Sequence, residues 1–492
     1  SQVFGDLLAR NGTVGSGGII NNSGSLATFT TTVNTARDWT GQINGSLNFV
    51  KSGGAQLTIR DDNQFTGNAT IMGSIVSLTD QGRFSGMAAG DTISVRNSLL
   101  RWDDTGIQGM SNRFASSVGI QLDGGAFEFI SRSGTDGVIA LGNVSLVGGS
   151  SVFRANPGNG GLGSATVNLS GSLTRTANST LTFVSGTGVV GANPFFLASA
   201  AGLTTNTNGI IGPWALVNTA NGTTAGANLE FATYEAGAGI RGLNLLEQST
   251  TFAASSSTSN LRLAANTTIP TGDRTINSLT LHGATTVSFT GTTLDTLTLA
   301  SGGLLAGSDA QNRVIGATTN ANTRGRITSS ASEFFIHNGA NTLTIHSAIT
   351  GTTNPVFTSA GTAGGATIRL TNANTYVGST FSNGVILLLD NQTGGGAAIT
   401  GDLTLTGGNI SGTETGSVAN STVRNLGAHQ IADAAAVTVR GGAAWDLNGF
   451  NETIARVAFN SQGGITGGST ITTFSGALTL TNSANTISAS NL

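Results

Sequence analysis

Two pairs of adjacent carboxylates, Asp61-Asp62 and Asp103-Asp104, are the side chains in this sequence best suited by type to acid–base chemistry. Glycoside hydrolysis needs two carboxylates at a defined separation, one of them with a raised pKa. Asp61-Asp62 aligns with Asn372-Ala373 of an internal repeat, and Asp103-Asp104 falls where Asp390-Asn391 follows a similar leucine run. Both pairs are therefore expected in turns between strands, as solvated turn carboxylates, and no catalytic residue is assigned. Gly158, Gly160 and Gly163 spell GxGxxG, a phosphate cradle only between a strand and a helix; here the strand-like SATVNLSGSLT follows. The histidines are His282, His337, His346 and His429. His337 and His346 could approach across one turn, but zinc needs further ligands and none is evident. GGLGSATVN lacks the Asp of the calcium-binding nonapeptide, so no metal and no cofactor is expected. Trp39, Trp102, Trp214 and Trp445 sit inside repeat-like segments. An exposed aromatic row would bind glycan; buried rings filling wide corners are the reading preferred here.

The elements that must carry these residues announce themselves by repetition. GGAQLTIRDDNQFTGNATIMGSIVSL, Gly53 to Leu78, returns as GGATIRLTNANTYVGSTFSNGVILLL, Gly364 to Leu389. Asn63 meets Asn374, Phe65 meets Tyr376, and Gly67 meets Gly378. A second pair aligns Ile120 with Val437, Leu122 with Val439, and Gly124-Gly125 with Gly441-Gly442. The Ala/Asp-rich stretch 431–436 reads as a short helical turn or a corner. Elsewhere, segments of alternating apolar and polar residues, such as Val167 to Thr174 and Leu294 to Gly302, are bounded by Gly, Asn or Ser. That is the pattern of strands and turns. Repeated strand–turn units bury their apolar face only by stacking on one another.

Composition agrees. There are 73 glycines in 492 residues, and charged residues make up 9%, against about 25% in an average domain. Equivalent side chains in a parallel stack lie about 4.8 Å apart, where like charges repel by about 1 kcal/mol even in water. Uncharged Asn, Ser and Thr can instead bond along the stack. The net charge of −3 gives no footprint for nucleic acid. Mean hydropathy is +0.11, and no apolar run approaches the ~18 residues of a spanning helix. Cysteine is absent, so disulfides and thiolate metal sites are excluded.

The run from Trp39 to Leu78 resembles the autotransporter-associated β-strand repeat: Lys51-Ser52-Gly53, the strand Gln56 to Ile59, the turn Asn63-Gln64-Phe65-Thr66-Gly67, then Ser74 to Leu78. Asn374-Thr375-Tyr376-Val377-Gly378 is closer still to the family form. IIGPWALVN with FATYEAGAGI, EFFIHNGANTLTI and WDLNGFNETI are similar to segments of large surface proteins built from that repeat. The resemblance, spanning about 34 to 460, is specific for architecture and weak for activity, and implies a passenger-type surface protein. SQVFGDLLAR lacks a basic n-region and apolar h-region, so either the protein is intracellular or Ser1 is a mature N-terminus; the second, an extracellular or cell-surface protein exported after signal-peptide removal, is the expectation. Members commonly end in a membrane β-barrel, whereas TNSANTISASNL continues in repeat style.

The expected fold is all-β, a right-handed three-sided parallel β-helix: a single continuous solenoid with a cap or first coils over 1–33, the repeats over 34–460 and terminal coils over 461–492. About 20 coils would make a rod near 100 Å. Leu47, Phe49, Leu57, Ile59, Ile71, Ile75, Leu78, Ile120, Leu122, Ile368, Leu370, Val437 and Val439 are expected inside. Phe4, Leu7 and Leu8 share a helical face and could form the cap. The expected function is a surface fibre, sheath or stalk that self-associates head to tail. The alternatives are an adhesin or glycan-binding module, contacting surface glycan or host protein around Trp214, and a polysaccharide-degrading enzyme. Asn63, Phe65, Gly67, Asn374, Tyr376 and Gly378 are singled out as the repeat-turn motif.

Overall fold

Alternating residues with glycine and asparagine at the bends produce short strands, and their stacking produces long sheets. The computed structural model describes residues 2–4, 7, 17–158, 163–186, 188–198, 201–204, 206–218, 229–359, 366–407, 421–462, 470–472, 477–481 and 486–490. Among these the chain is nearly all β; the α-helices are single turns at Ala201–Thr204 and Ala321–Arg324. Almost every strand pair is parallel, and the chain returns to the same column after each turn. One column runs Phe29, Phe49, Ala69, Ile93, Ile120, Val144 and Leu173 in direct register. A second runs Trp39, Ile59, Leu78, Trp102, Phe129 and Ala155. Long strands such as Ala69–Leu78 and Thr92–Asp103 belong to both. A third set pairs Gly137–Leu141 with Ala165–Leu169 and Phe195–Ala198. Like therefore stacks on like. Phe127, Phe153 and Phe183 form a buried aromatic column with centroids 6.0 Å apart at each step.

The ladder does not run unbroken. Leu229–Glu235 pairs antiparallel with both Ala215–Asn218 and Gly239–Gly242. A hairpin of this kind ends a parallel stack, because its next hydrogen-bonding edge runs the wrong way. Two single-turn 3-10 helices follow, Leu245–Glu247 and Phe252–Ala254, and a second ladder starts at Asn260–Leu263. Its columns include Leu261, Leu279, Leu304, Ile336 and Phe357. Each ladder has its own apolar core, one spanning Leu7 to Ile240 and the other Phe252 to Val457. The single stack expected from the repeats is thus divided in two.

The two ladders lie side by side and run in opposite directions. Asn97 Nδ2 donates to Gly441 O (3.5 Å), Asn383 Nδ2 to Asn178 O (2.8 Å), and Glu230 Oε1 meets His282 Nε2 at 3.1 Å. As numbers rise along the first ladder, they fall along the second. Left-handed corner residues line this seam, including Asn97 (φ 44°), Asn178 (φ 69°) and Gly441 (φ 57°). A Cβ on Gly441 would lie 2.4 Å from Asn97 Nδ2, so the seam needs glycine there. Strands at the seam are buried on both faces: Thr180–Val184 throughout, and Phe334 to Asn338 of the second ladder. Such strands read as continuous rather than alternating runs.

All thirteen residues expected inside are buried. Ile75, however, joins Leu99, Ala126, Val152 and Val184 in a cluster separate from the first core. Gly73 and Ser74 both take φ near +60° (63° and 62°), which inverts the alternation between Ile71 and Ile75. The amino-terminal helical face is also corrected: Gln2–Phe4 is a strand paired with Phe29–Thr31, where edge hydrogen bonds outcompete a short isolated helix. Leu7 is buried, and Leu8 lies outside the described residues. Residues 431–436 form a corner with a turn at 433–434.

Candidate functional site

The repeat-turn motif is a buried staple between successive turns of the chain. Asn63 Oδ1 accepts Ile43 N–H at 2.9 Å while its Nδ2 donates to Asp61 O at 2.7 Å. Asn374 likewise accepts Ile349 N–H (2.8 Å) from the preceding turn, but it donates to Ala398 O on the following one (2.6 Å). A carboxamide offers a donor and an acceptor at once, so it satisfies a backbone group where the strand ladder is interrupted. Phe65 packs between Phe49 and Phe84, with centroids at 5.8 and 5.1 Å. Tyr376 is buried too, but its hydroxyl faces Thr380 Oγ1 and accepts Thr400 N–H. Gly67 and Gly378 permit close approach: a Cβ would stand 2.7 Å from Leu47 O and 2.3 Å from Thr353 O, respectively.

The acid pairs are committed to local structure. Asp61 Oδ1 caps Asp62 N–H at 2.8 Å, and Asp62 pairs with Arg83 at 2.8 Å. Asp103 Oδ1 accepts the N–H and hydroxyl of Thr105 at 2.9 and 2.6 Å. Asp104 is the counter-ion of the fully buried Arg113, at 2.8 Å. Burial raises the Asp104 carboxyl above its ordinary range, and the Arg113 charge opposes that rise. Arg113 also donates to the carbonyls of Gly82 and Asp103, at 2.7 and 2.8 Å. The site is a structural knot around one guanidinium.

The histidines do not converge. His337 is wholly buried at the seam, where Nε2–H donates to Pro213 O at 2.7 Å. Burial lowers its pKa to about 4, only partly opposed by that carbonyl. His346 bonds Thr371 Oγ1 at 2.6 Å, and His282 meets Glu230. Among the described residues no group of three or more His, Cys, Asp or Glu could hold a metal ion. Of the GxGxxG glycines, Gly160 lies outside the described residues.

Three tryptophans, Trp39, Trp102 and Trp445, are buried. Trp214 is only half-buried and lines a cleft of about 380 Å³ where the two ladders meet near the fold-back. Its strand, Ala215–Asn218, is the last parallel one of the first ladder. Arg175 lies over Trp214 and over Phe335, 5.6 and 5.4 Å from the ring centroids. Glu333 grips Arg175 through two bonds, at 3.0 and 2.6 Å. This combines cation–π attraction with a bidentate ion pair and fixes the cleft wall. Neutral groups complete the lining: Asn208, Asn277, Ser301 and Ser332. Asn208 Nδ2 donates to Asn277 Oδ1 at 3.1 Å, and Asn277 Nδ2 to Asn260 Oδ1 at 2.7 Å. Such a wall, one aromatic face against amides and hydroxyls, suits a neutral polar ligand better than an ion. Arg175 and Glu333 carry no repeat signature, and only their unlike environments in space unite them.

No family model matches the chain, and neither a curated protein nor a solved structure shows significant similarity to it. No described helix is long and apolar enough to cross a membrane.

Proposed function

We propose that this is a non-enzymatic structural protein of the cell exterior, each ladder being a right-handed parallel β-helix with three sheet faces. The supporting observation is the fate of its carboxylates. Asp61 and Asp103 cap N–H groups within their own turns, and Asp62, Asp104, Glu128 and Glu333 are each paired with an arginine. The repeat-turn residues and the neutral composition fit a surface protein of the autotransporter-associated repeat type. A screen of the purified chain on plant and algal polysaccharides should detect no turnover. Turnover abolished by Asp103→Asn or Asp104→Asn would overturn the reading.

Trp214 favours a second reading, in which the scaffold also binds a neutral glycan. It is the one tryptophan left half-open, and it lines the cleft beside Arg175 and the amides of Asn208 and Asn277. On a glycan array, the parent chain should bind a hexose-containing ligand that Trp214→Ala does not. Equal binding by both proteins would remove Trp214 from the site.

A further inference from the structure

Arg324 and Arg326 are among the described arginines that no carboxylate pairs, and they alone of these stand two residues apart, at the end of Ala321–Arg324 and the start of Arg326–Ser329. They flank Gly325, whose φ of 61° turns the chain and whose hydrogen faces the Phe289 ring; a Cβ there would lie 2.3 Å from ring carbons. Both arginines line a second cleft, of about 340 Å³, on the second ladder. No carboxylate lines it, and neither does an aromatic ring. Asp295 and Asp390, which lie near this face, are already engaged. Asp295 accepts Gly272 N–H at 3.0 Å, and Asp390 is paired with Arg369 through a bond of 2.6 Å. Burial lowers the His346 pKa, Arg324 and Arg369 lower it further, and Asp390 opposes them.

The cleft follows the ladder axis. Arg326 is in register with Thr296 below and Ala348 above. Thr375 N–H donates to Ile349 O, and Ala373 N–H to Thr393 Oγ1, which adds two further turns. Five successive turns at about 4.8 Å give a run on the order of 20 Å. The axial step is comparable with one sugar unit of an extended polysaccharide.

We propose that this groove binds an extended acidic polysaccharide, its carboxylate or sulfate groups held by Arg324 and Arg326. The planar guanidinium matches both oxyanions in bidentate fashion. The small residues along the floor, Ala348, Ala373 and Gly395, admit a chain lying flat. A single-stranded nucleic acid is disfavoured, since its bases find no aromatic platform here.

Fluorescence anisotropy with four probes tests this: a uronic-acid oligosaccharide, a sulfated dextran oligomer, neutral dextran of matched length, and a deoxythymidine oligonucleotide. Saturable binding is expected for at least one acidic saccharide, and the better arm identifies carboxylate or sulfate. Neutral dextran should not bind at this groove. The double variant Arg324→Gln/Arg326→Gln should bind at least tenfold more weakly with unchanged thermal unfolding. Arg132→Gln, an exposed arginine of the first ladder, should bind like the parent. No saturable binding of either acidic saccharide would overturn the proposal, as would undiminished binding by the double variant. Equal or tighter binding of the oligonucleotide would overturn the saccharide assignment.

Discussion

Single side chains hold this molecule together across turns more than within them. Asn63 and Asn374 each accept a buried N–H from the preceding turn and satisfy one buried carbonyl, Asp61 O within its own turn for Asn63 and Ala398 O on the following turn for Asn374. Truncation leaves both groups without partners, which costs about 1–3 kcal/mol per buried group. Asn63→Ala and Asn374→Ala should each destabilise by roughly 2–4 kcal/mol in urea unfolding; a loss below 0.5 kcal/mol in both would mean that the staple is dispensable. Lys51, the sole lysine, makes a second residue-level prediction. It is fully buried, donates to Gly53 O at 2.9 Å and to Gly73 O, and has no carboxylate partner. Burial lowers its pKa from 10.5 to about 7. The unfolded chain therefore holds the extra proton between about pH 7 and 10.5, so stability rises with pH across that window and is lowest below it. Lys51→Met removes this dependence. The variant should gain a few kcal/mol over the parent at pH 6, at about 1.4 kcal/mol per pKa unit, and the gap should narrow toward pH 10. Parallel pH–stability curves for the two proteins would show that Lys51 is not the titrating group.

At the scale of elements, the seam depends on close approach. Gly303 begins the second limb of the strand Thr296–Ala306, and a Cβ there would meet the Phe231 ring at 2.8 Å and Pro213 Cβ at 3.1 Å. Both contacts belong to the first ladder, so a branched side chain would wedge the ladders apart. Gly303→Val should cost about 1–3 kcal/mol, as overpacking does, and should quench less of the Trp214 fluorescence change on unfolding. Unchanged stability would mean that the ladders separate freely. The sequence disclosed much of this level. The repeat marked the strands, the turns and the buried faces, because each follows from alternation within a few residues. It did not disclose the fold-back. The hairpin around Glu235 to Gly239 has an ordinary turn composition, and the ladder could have continued past it. The unbroken runs at the seam, such as Phe334-Phe335-Ile336, were the available signal: a strand with only one buried face would alternate. Trp214 was named as the centre of the glycan-binding alternative, yet its cleft needs Arg175 and Glu333, which only the fold-back brings together.

For the whole molecule, the fold-back sets where the outermost described strands lie. The first and last described strands, Gln2–Phe4 and Thr486–Ser490, sit at the ends of the ladders remote from residues 243–259. Head-to-tail polymerisation, as the repeats led us to expect, requires complementary edges at opposite poles. Here they share a pole. Edge pairing between two copies would set the first ladder of each on the second ladder of the other, an isologous contact that closes at two. Sedimentation velocity should therefore show nothing larger than a dimer, and negative-stain images no filaments; filaments of many subunits would refute this geometry. The shared pole also fixes what is presented to the surroundings. The first and last described strands lie on one side, whereas the Trp214 cleft lies by the opposite tip. Roughly eight steps of about 4.8 Å separate them, so the antiparallel pair acts as a stiff double-barrelled boom, holding the cleft some 40 Å from the outermost described strands.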